Sequence, residues 1–184
     1  AVINGNFGSK AIGKAGYLWE TAIVDEKGNP VARGEVGELI VKGPGVMKCY
    51  YHDAQATEEV LDSDGWLYTG DMAERDKDGF IYLVDRKKDV IISGGENIYP
   101  VQIEDFLRAN DAVIGLPDQR LGEISAAIIE LKPDCRLSEE DVNQYCMALP
   151  RYKRPRRVIF ADVPRNPTGK IEKPVLRKKY CGES

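Results

Sequence analysis

The pattern of apolar segments changes near residue 85, and this change constrains the fold more than any other feature of the chain. Before it, short segments of strand-forming residues recur between turn residues, from Trp19 to Val24 and from Val36 to Val41, and GWLYTG and GFIYLV each follow an aspartate. Strands at this spacing favour a small β-barrel or meander over residues 1–84. Asp53 before ATEEVL predicts one short capped helix among them.

After the change, helical and strand-like segments alternate. Pro100 stands at the start of a helical pattern, VQIEDFLRA, as expected for a first helical residue. Ser138 predicts a second helix start, with Asp141 in the capping-box position. AVIGL, SAAIIEL and RVIFADV are strand-like, and KPVLRKKY predicts a last helix. The fold class is therefore α+β, with a β-rich subdomain followed by a compact domain, residues 89–184, whose small central sheet is flanked by helices.

Composition excludes several classes of protein. The 42% apolar fraction supports hydrophobic cores, but no apolar run approaches the roughly 20 residues that span a bilayer. The first ten residues lack the basic and apolar blocks of a secretory signal. Four cysteines are scattered without a CxxC pair, and His52 is the sole histidine. We therefore expect a cytoplasmic protein with reduced thiols and no metal site of its own.

Basic residues are concentrated near the end of the chain. Residues 151–180 contain eleven lysines and arginines against Asp162 and Glu172, although the whole chain has a net charge of −4. Such a region favours an anionic partner. A nucleic-acid surface would interleave aromatics with these charges, whereas only Tyr152, Phe160 and Tyr180 are present. Phosphates on a small molecule are the better candidate, and no nucleic acid is expected.

Three motifs occur in order: YTGD at 68–71, DRKKDVIISGGENIYP at 85–100 and NPTGK at 166–170. Each has a plain structural interpretation. The first is a turn, and the basic cluster of the second is a polar turn between hairpin strands or a hinge. Its Ser-Gly-Gly is a flexible loop. In the third, Lys170 is a solvated lysine on a basic tail or a residue held to contact a substrate.

Together these motifs resemble the C-terminal part of the acyl-adenylate-forming (AMP-binding) enzymes, which include acyl-CoA synthetases, adenylation domains of peptide synthetases and beetle luciferases. The resemblance extends from GELIVKGPGVMKCYY to PTGKIEK and is greatest to medium- and long-chain fatty acyl-CoA synthetases. It implies two steps. A carboxylate attacks the α-phosphate of Mg·ATP to give acyl-AMP and pyrophosphate, and the CoA thiol then displaces AMP. A small C-terminal domain rotates between the steps.

The resemblance also implies roles for individual residues. Asp71 would accept hydrogen bonds from both ribose hydroxyls, since a carboxylate offers two acceptor oxygens. Arg86 would reach the ribose or a phosphate with its fixed donor fork. Residues 85–88 correspond to the hinge, with Lys88 at the pivot. The loop of Gly94 and Gly95 would line the channel for the pantetheine arm of CoA.

Lys170 takes the catalytic role in this resemblance. It would bridge the substrate carboxylate and the α-phosphate during adenylation, because a compact ammonium on a long stem stabilises charge as it develops. The neighbouring Lys173, Arg177 and Lys178 are expected to be solvated charges.

The resemblance further implies the partners. They are a carboxylic acid, expected to be a fatty acid, together with CoA and with ATP or AMP. Mg²⁺ is expected to accompany ATP. The phosphate loop, the adenine- and Mg²⁺-binding segment and the acyl pocket would lie upstream of residue 1. The 184 residues alone are therefore expected to be inactive, and the fatty substrate would allow peripheral association with a membrane. Alternatives are an adenylation domain that loads a carrier protein, disfavoured because the chain stops soon after NPTGK, and a non-catalytic binding or assembly module.

Several positions depart from the family pattern. Gln102 stands where glutamate is usual and is expected on a helix surface, and Cys49 replaces a glycine and is expected to pack. Residues 7–16 and 107–114 align poorly or are short. Either these loops are shorter in this chain, or residues are missing from the numbered sequence. The second is favoured because a shortened connection would clip a strand of the small sheet.

Overall fold

A computed structural model of the chain describes residues 2–3 (backbone only), 11–107 and 111–182. The chain divides into two compact units between Lys88 and Asp89. None of the helices in this described part is long and apolar enough to cross a membrane.

The first unit is a six-stranded antiparallel sheet with one helix. Its elements are β1 (Val2–Ile3), β2 (Ala11–Ala15), β3 (Glu20–Val24), β4 (Gly37–Lys42), α1 (Ala54–Val60), β5 (Leu67–Arg75) and β6 (Ile81–Arg86). The strand order is β1-β2-β6-β5-β4-β3, so β3 to β6 form a meander. The β-rich prediction is confirmed. β2 was not predicted, and residues 7–10 of the poorly aligned stretch lie outside the described residues.

Local sequence explains much of this unit. Asp53 caps α1 by accepting a hydrogen bond from the Ala56 amide. The core is formed by buried side chains that alternate along the strands, including Ile23, Leu39 and Ile81. Alternation places every second residue of a strand on the same face, and burial of those residues stabilises the sheet.

The second unit has a sheet covered by helices. Its elements are β7 (Ile91–Ser93), β8 (Glu96–Ile98), α2 (Pro100–Leu107), β9 (Asp111–Asp118), β10 (Gly122–Ile129), α3 (Glu139–Tyr145), β11 (Arg157–Phe160) and α4 (Lys173–Cys181). Strand β10 pairs in parallel with β11 and antiparallel with β7 and β9.

Two apolar clusters lie on the two faces of this sheet. One contains Val113 of β9 with residues of α2 and α3, and the other contains Ile114 with Leu176 of α4. Neighbouring strand residues point to opposite faces, so β9 supplies both clusters. The predicted central sheet flanked by helices is confirmed, as is the capping box of Ser138 and Asp141.

The reason for favouring missing residues, that a short connection would clip a strand of the small sheet, is wrong. Although residues 108–110 lie outside the described residues, β9 has eight residues, and each is paired with β10 from Asp111↔Ile129 to Asp118↔Gly122. A short connection therefore leaves this strand at full length.

Candidate active site

Asp71 and Arg86 are brought together by the register of two adjacent strands. They face each other across β5 and β6, and the guanidinium Nη1 lies 2.5 Å from the carboxylate Oδ1. Both side chains keep contact with solvent, 25% exposed for Asp71 and 56% for Arg86. The predicted nucleotide-binding pair is thus an assembled, accessible ion pair, which the sequence did not predict.

Residues 68–71 (YTGD) lie within strand β5, where its pairing register with β4 changes, so the interpretation of this motif as a turn is wrong. The Thr69 hydroxyl donates to the Leu39 carbonyl at 2.7 Å and accepts the Asp71 amide at 3.2 Å. Gly70 has φ +70°, a conformation that favours glycine. The carboxylate of Asp71 is therefore held by a strand whose local path is determined by Thr69 and Gly70.

Glu38 links this part of β5 to the basic cluster. It is buried on β4, where Oε1 accepts the Gly70 amide at 3.1 Å and Oε2 accepts from Lys87 Nζ at 2.7 Å. An open cleft of about 600 Å³ adjoins these groups. Its lining comprises Glu38, Tyr50, Glu59, Val60, Tyr68, Thr69, Gly70, Arg86, Lys87 and Lys88. Sequence reasoning missed Glu38 because its partners are 32 and 49 residues away.

The proposed hinge, residues 85–88, comprises the end of β6 and the first two residues of a 3₁₀ turn, Lys87–Asp89. Strand β6 belongs to the six-stranded sheet and β7 to the other sheet, so the interpretation as a turn between hairpin strands is wrong. Lys87 is bound to Glu38 within the first unit, and Asp89 is bound to Arg177 at 2.6 Å within the second. Lys88 thus lies between two residues that are each anchored by an ion pair.

Gly94 and Gly95 form the two-residue turn of the β7–β8 hairpin. Their φ angles are +60° and +85°, as expected for the tight primed turns that match strand twist. The Gly94 amide donates to the Leu121 carbonyl at 2.9 Å. A Cβ on Gly95 would meet no atom within 4 Å. Backbone conformation is a sufficient reason for glycine here, and a role toward CoA stays a prediction.

Lys170 lies on a tight turn that Asn166 organises. Asn166 Oδ1 accepts the amides of Thr168 at 3.0 Å and Lys170 at 2.9 Å, and Gly169 has φ +83°. The Arg165 guanidinium donates to the Gly169 carbonyl. The Lys170 side chain is exposed and makes no hydrogen bond or ion pair with any described residue. The turn presents an ammonium group that is available to a ligand.

Two basic residues of α4, one lysine and one arginine, are largely removed from solvent, contrary to expectation. Lys173 is 9% exposed and binds Glu104 of α2 at 2.9 Å, and Arg177 binds Asp89. Residues 173 and 177 are four apart and therefore share a helix face. Lys178 is exposed, as predicted. Both ion pairs fix α4, which begins three residues after Lys170.

Two further expectations are wrong. Gln102 is half-buried, and its buried Oε1 has no partner among the described residues. Cys49 is exposed rather than packed. Position on a short helix or beside a turn does not specify burial, because burial depends on what the rest of the chain places nearby.

Asp111 is a buried acid at the start of β9. Burial, followed by the nearby Glu104 carboxylate, raises the pKa of Asp111 to about 6. Its Oδ1 has no partner among the described residues. The same Glu104 accepts the Val113 amide at 2.7 Å and binds Lys173. This arrangement supports α4 and α2 and makes no contact with the predicted site residues that the structure describes.

Comparison with known proteins identifies the family. The model for AMP-binding enzymes matches residues 5–51, and the model for the C-terminal domain of AMP-binding enzymes matches residues 109–170. The chain belongs to the AMP-binding enzyme family. The predicted resemblance to this family is therefore confirmed.

The family's relatives include CoA ligases for different acids. Long-chain-fatty-acid–CoA ligase FadD13 of Mycobacterium tuberculosis is 44% identical over 91% of this chain and 34% of its own length. Feruloyl-CoA synthase of an Amycolatopsis species is 40% identical over 94% of the chain and 37% of its own length. The chain thus spans about a third of the length of the curated relatives it matches.

A solved structure supports the fold. The crystal structure of ATP-bound MatB from Rhodopseudomonas palustris has a TM-score of 0.86 and 34% identity, and covers 96% of this chain and 37% of the MatB chain. This AMP-binding enzyme chain therefore has the α+β fold expected from its motifs.

Proposed function

We propose that these residues act within an AMP-forming acyl-CoA ligase. In the first step a carboxylate oxygen attacks the α-phosphorus of ATP, the bond to the bridging oxygen breaks, and pyrophosphate leaves. In the second step the CoA thiol loses its proton and its sulfur attacks the acyl carbon, and AMP leaves with the electron pair of the acyl–oxygen bond. Membership of the family, whose relatives carry CoA-ligase names, is the observation on which this proposal depends.

The ribose end of the nucleotide is assigned to the first unit. Asp71 would accept the two ribose hydroxyls, and Arg86 would orient that carboxylate and contact a ribose or phosphate oxygen. Their ion pair beside an open cleft supports this assignment. Each carboxylate oxygen has two lone pairs, so Asp71 Oδ1 can accept from a hydroxyl while it is bound to Arg86.

Lys170 is assigned to the first step. Its ammonium would bridge the attacking carboxylate and the α-phosphate and stabilise the added negative charge in the transition state. Its exposure and its position on a firmly bonded turn support this role. The side chain has no competing ion pair with any described residue.

The second step is assigned to a different conformation, reached by rotation at Lys88. The two ion pairs that anchor Lys87 and Asp89 support a pivot at the residue between them. The Gly94–Gly95 turn would then border the pantetheine arm. The described residues contain no group of three or more His, Cys, Asp or Glu that could hold a metal ion, and we propose that Mg²⁺ enters with ATP.

A fatty acid is the proposed substrate class. FadD13 supports it by name, whereas the feruloyl-CoA synthase extends the alternatives to an aromatic acid. The acyl pocket, the phosphate loop and the adenine site are proposed to lie in sequence upstream of these 184 residues. An exchange assay across fatty and aromatic carboxylic acids of graded length would decide the class.

The decisive test is Lys170→Ala in the complete polypeptide. We expect ATP–pyrophosphate exchange to fall by about 100-fold or more. This is the typical loss of rate when one group that stabilises transition-state charge is removed. Thioester formation from preformed acyl-AMP should change less than about twofold, because only interactions made in a step's transition state affect that step. The matched control is Lys178→Ala, an exposed lysine of α4, which should leave both steps intact.

Equal loss of both steps in Lys170→Ala would show that the role assigned to Lys170 is wrong. If the unaltered complete polypeptide catalysed neither step with any acid, the binding or assembly module would be favoured instead. Transfer to a carrier protein in preference to CoA would favour the adenylation domain of a peptide synthetase.

A further inference from the structure

Four loops of this chain share one sequence pattern, an aspartate or asparagine followed after two residues by glycine. They are DEKG at 25–28, DSDG at 62–65, DKDG at 76–79 and NPTG at 166–169. In each, Oδ1 of the first residue accepts the backbone amides two and four residues later, at 2.8 to 3.0 Å. The four glycines have φ between +81° and +86°.

The backbone bonds of the four loops also agree. The amide of the first residue donates to the carbonyl four residues later, at 2.8 to 3.0 Å. The glycine amide donates back to the carbonyl of the first residue, at 2.8 to 3.1 Å. Lys170 directly follows the glycine of the fourth loop. The loop that presents this lysine is therefore the same turn that recurs three times in the first unit.

The four loops differ in charge. Each of the first three begins with aspartate and contains a second acid, namely Glu26, Asp64 or Asp78. The fourth begins with Asn166, and no acid occurs from residue 163 to residue 171. In the first loop the Asn29 amide lowers the pKa of the Asp25 carboxyl, so that this group is ionised near neutral pH. An aspartate in the fourth loop would bring the same negative charge to the turn of Lys170.

The amide group of Asn166 is not needed as a hydrogen-bond donor within the turn. All three bonds to its side chain end on Oδ1, from the amides of Thr168 and Lys170 and from the Thr168 hydroxyl at 2.7 Å. Nδ2 donates to no described residue. A carboxylate would accept the same three bonds with the same shape, so the neutral charge is what distinguishes asparagine here.

We propose that Asn166 is a positioning residue that builds the turn of Lys170 while keeping it free of negative charge. An acid at this position would repel an approaching carboxylate and phosphate and would compete with them for the lysine. This inference rests on the proposed function, since it assumes that Lys170 meets an anionic substrate. It adds that the absence of negative charge in this turn favours the approach of an anionic substrate.

The structural part of the test uses the 184-residue chain and three variants. Asn166→Asp should leave hydrogen exchange of the Lys170 amide within about twofold of the parent chain, because the acceptor is retained. Asn166→Ala should increase that exchange about tenfold, the effect of one lost hydrogen bond. Asp25→Asn, the reverse change in a sister turn, should leave exchange of the Asn29 amide within about twofold.

The kinetic part uses the complete polypeptide. Asn166→Asp should lower ATP–pyrophosphate exchange about tenfold at low salt, with a smaller loss at high salt, because a charge effect on an accessible group is screened. Asn166→Ala should lower ATP–pyrophosphate exchange without this salt dependence. Thioester formation from preformed acyl-AMP should stay within about twofold in both variants, and Asp25→Asn should affect neither step.

The outcomes separate this inference from the proposed function. Full exchange activity of Asn166→Asp, or a loss that salt does not reduce, would overturn the charge argument. Unchanged amide exchange in Asn166→Ala would overturn the positioning argument, whatever the enzyme does. Absence of both half-reactions in the parent polypeptide, with the amide-exchange pattern as expected, would overturn the proposed function and with it the selection for an anionic substrate.

Discussion

Asp71 and Lys170 are held in opposite ways, one through its side chain and the other through its backbone. Asp71 is on a strand, is paired with Arg86 and follows Gly70, whose amide is held by Glu38 from a third strand. Lys170 is at the end of a turn whose bonds all involve backbone atoms or Asn166, and its own side chain contacts no described charged partner. The first arrangement suits a group that binds a ligand in a fixed orientation, and the second suits one that adjusts to a changing charge.

The support behind each group differs as well. In the first unit Glu38 binds Lys87 and the Gly70 amide at the edge of an accessible cleft. In the second unit the ion pairs of Lys173 and Arg177 fix the helix that follows Lys170. Helix α4 is thereby tied to α2 and to Asp89, whereas the Lys170 side chain has no hydrogen-bond or ion-pair partner among the described residues.

The largest effect is expected for the ion pair between Lys173 and Glu104, which fixes α4 in the second unit. Lys173→Met should lower the unfolding free energy of the second unit by about 3 kcal/mol, because it leaves the Glu104 carboxylate buried without its partner. Hydrogen exchange of β9 and α4 amides in the 184-residue chain would measure it. The matched control Lys178→Met removes an exposed charge from the same helix and should change stability by less than about 0.5 kcal/mol. Similar losses in the two variants would contradict the ion-pair account.

A smaller effect is expected from Asp111, and its size depends on pH. The pKa of Asp111 is raised to about 6 in the folded chain from an ordinary 3.8. The folded state therefore binds the proton more tightly than the unfolded state. The resulting contribution to the unfolding free energy is fully present below pH 3.8 and is lost as the pH rises through 6. Asp111→Asn should raise the unfolding free energy of the second unit by about 2 kcal/mol at neutral pH and by little near pH 3.5. Denaturant unfolding across this pH range would measure it, and a difference that is independent of pH would contradict the assignment.

Local features of the fold could be predicted from sequence, whereas interactions between distant residues could not. The meander follows from alternation and turn residues, and the caps at Asp53 and Ser138 depend on residues within one helical turn. Glu38 and Lys173 were missed because a charged residue in a strand or helix is expected at the surface. Their burial depends on partners brought close by the whole sheet or helix packing.

The site residues show the same division. The turn around Lys170 could be anticipated from Pro167 and Gly169, but the difference in charge at Asn166 emerged from comparison with the three aspartate turns. The Asp71–Arg86 pair depends on strand register, and a shift of one residue would separate the two side chains. The roles of these residues toward substrates stay predictions.

The central claim is that Asp71 binds nucleotide in the ground state, whereas Lys170 acts when charge develops. The direct measurement is the affinity of the complete polypeptide for AMP, by calorimetry, in Asp71→Ala and Lys170→Ala. Asp71→Ala should weaken binding about tenfold, or roughly 1.4 kcal/mol, through loss of the hydrogen bonds to the ribose. Lys170→Ala should leave the affinity within about twofold. Equal weakening by the two substitutions, or weakening by Lys170→Ala alone, would contradict the account.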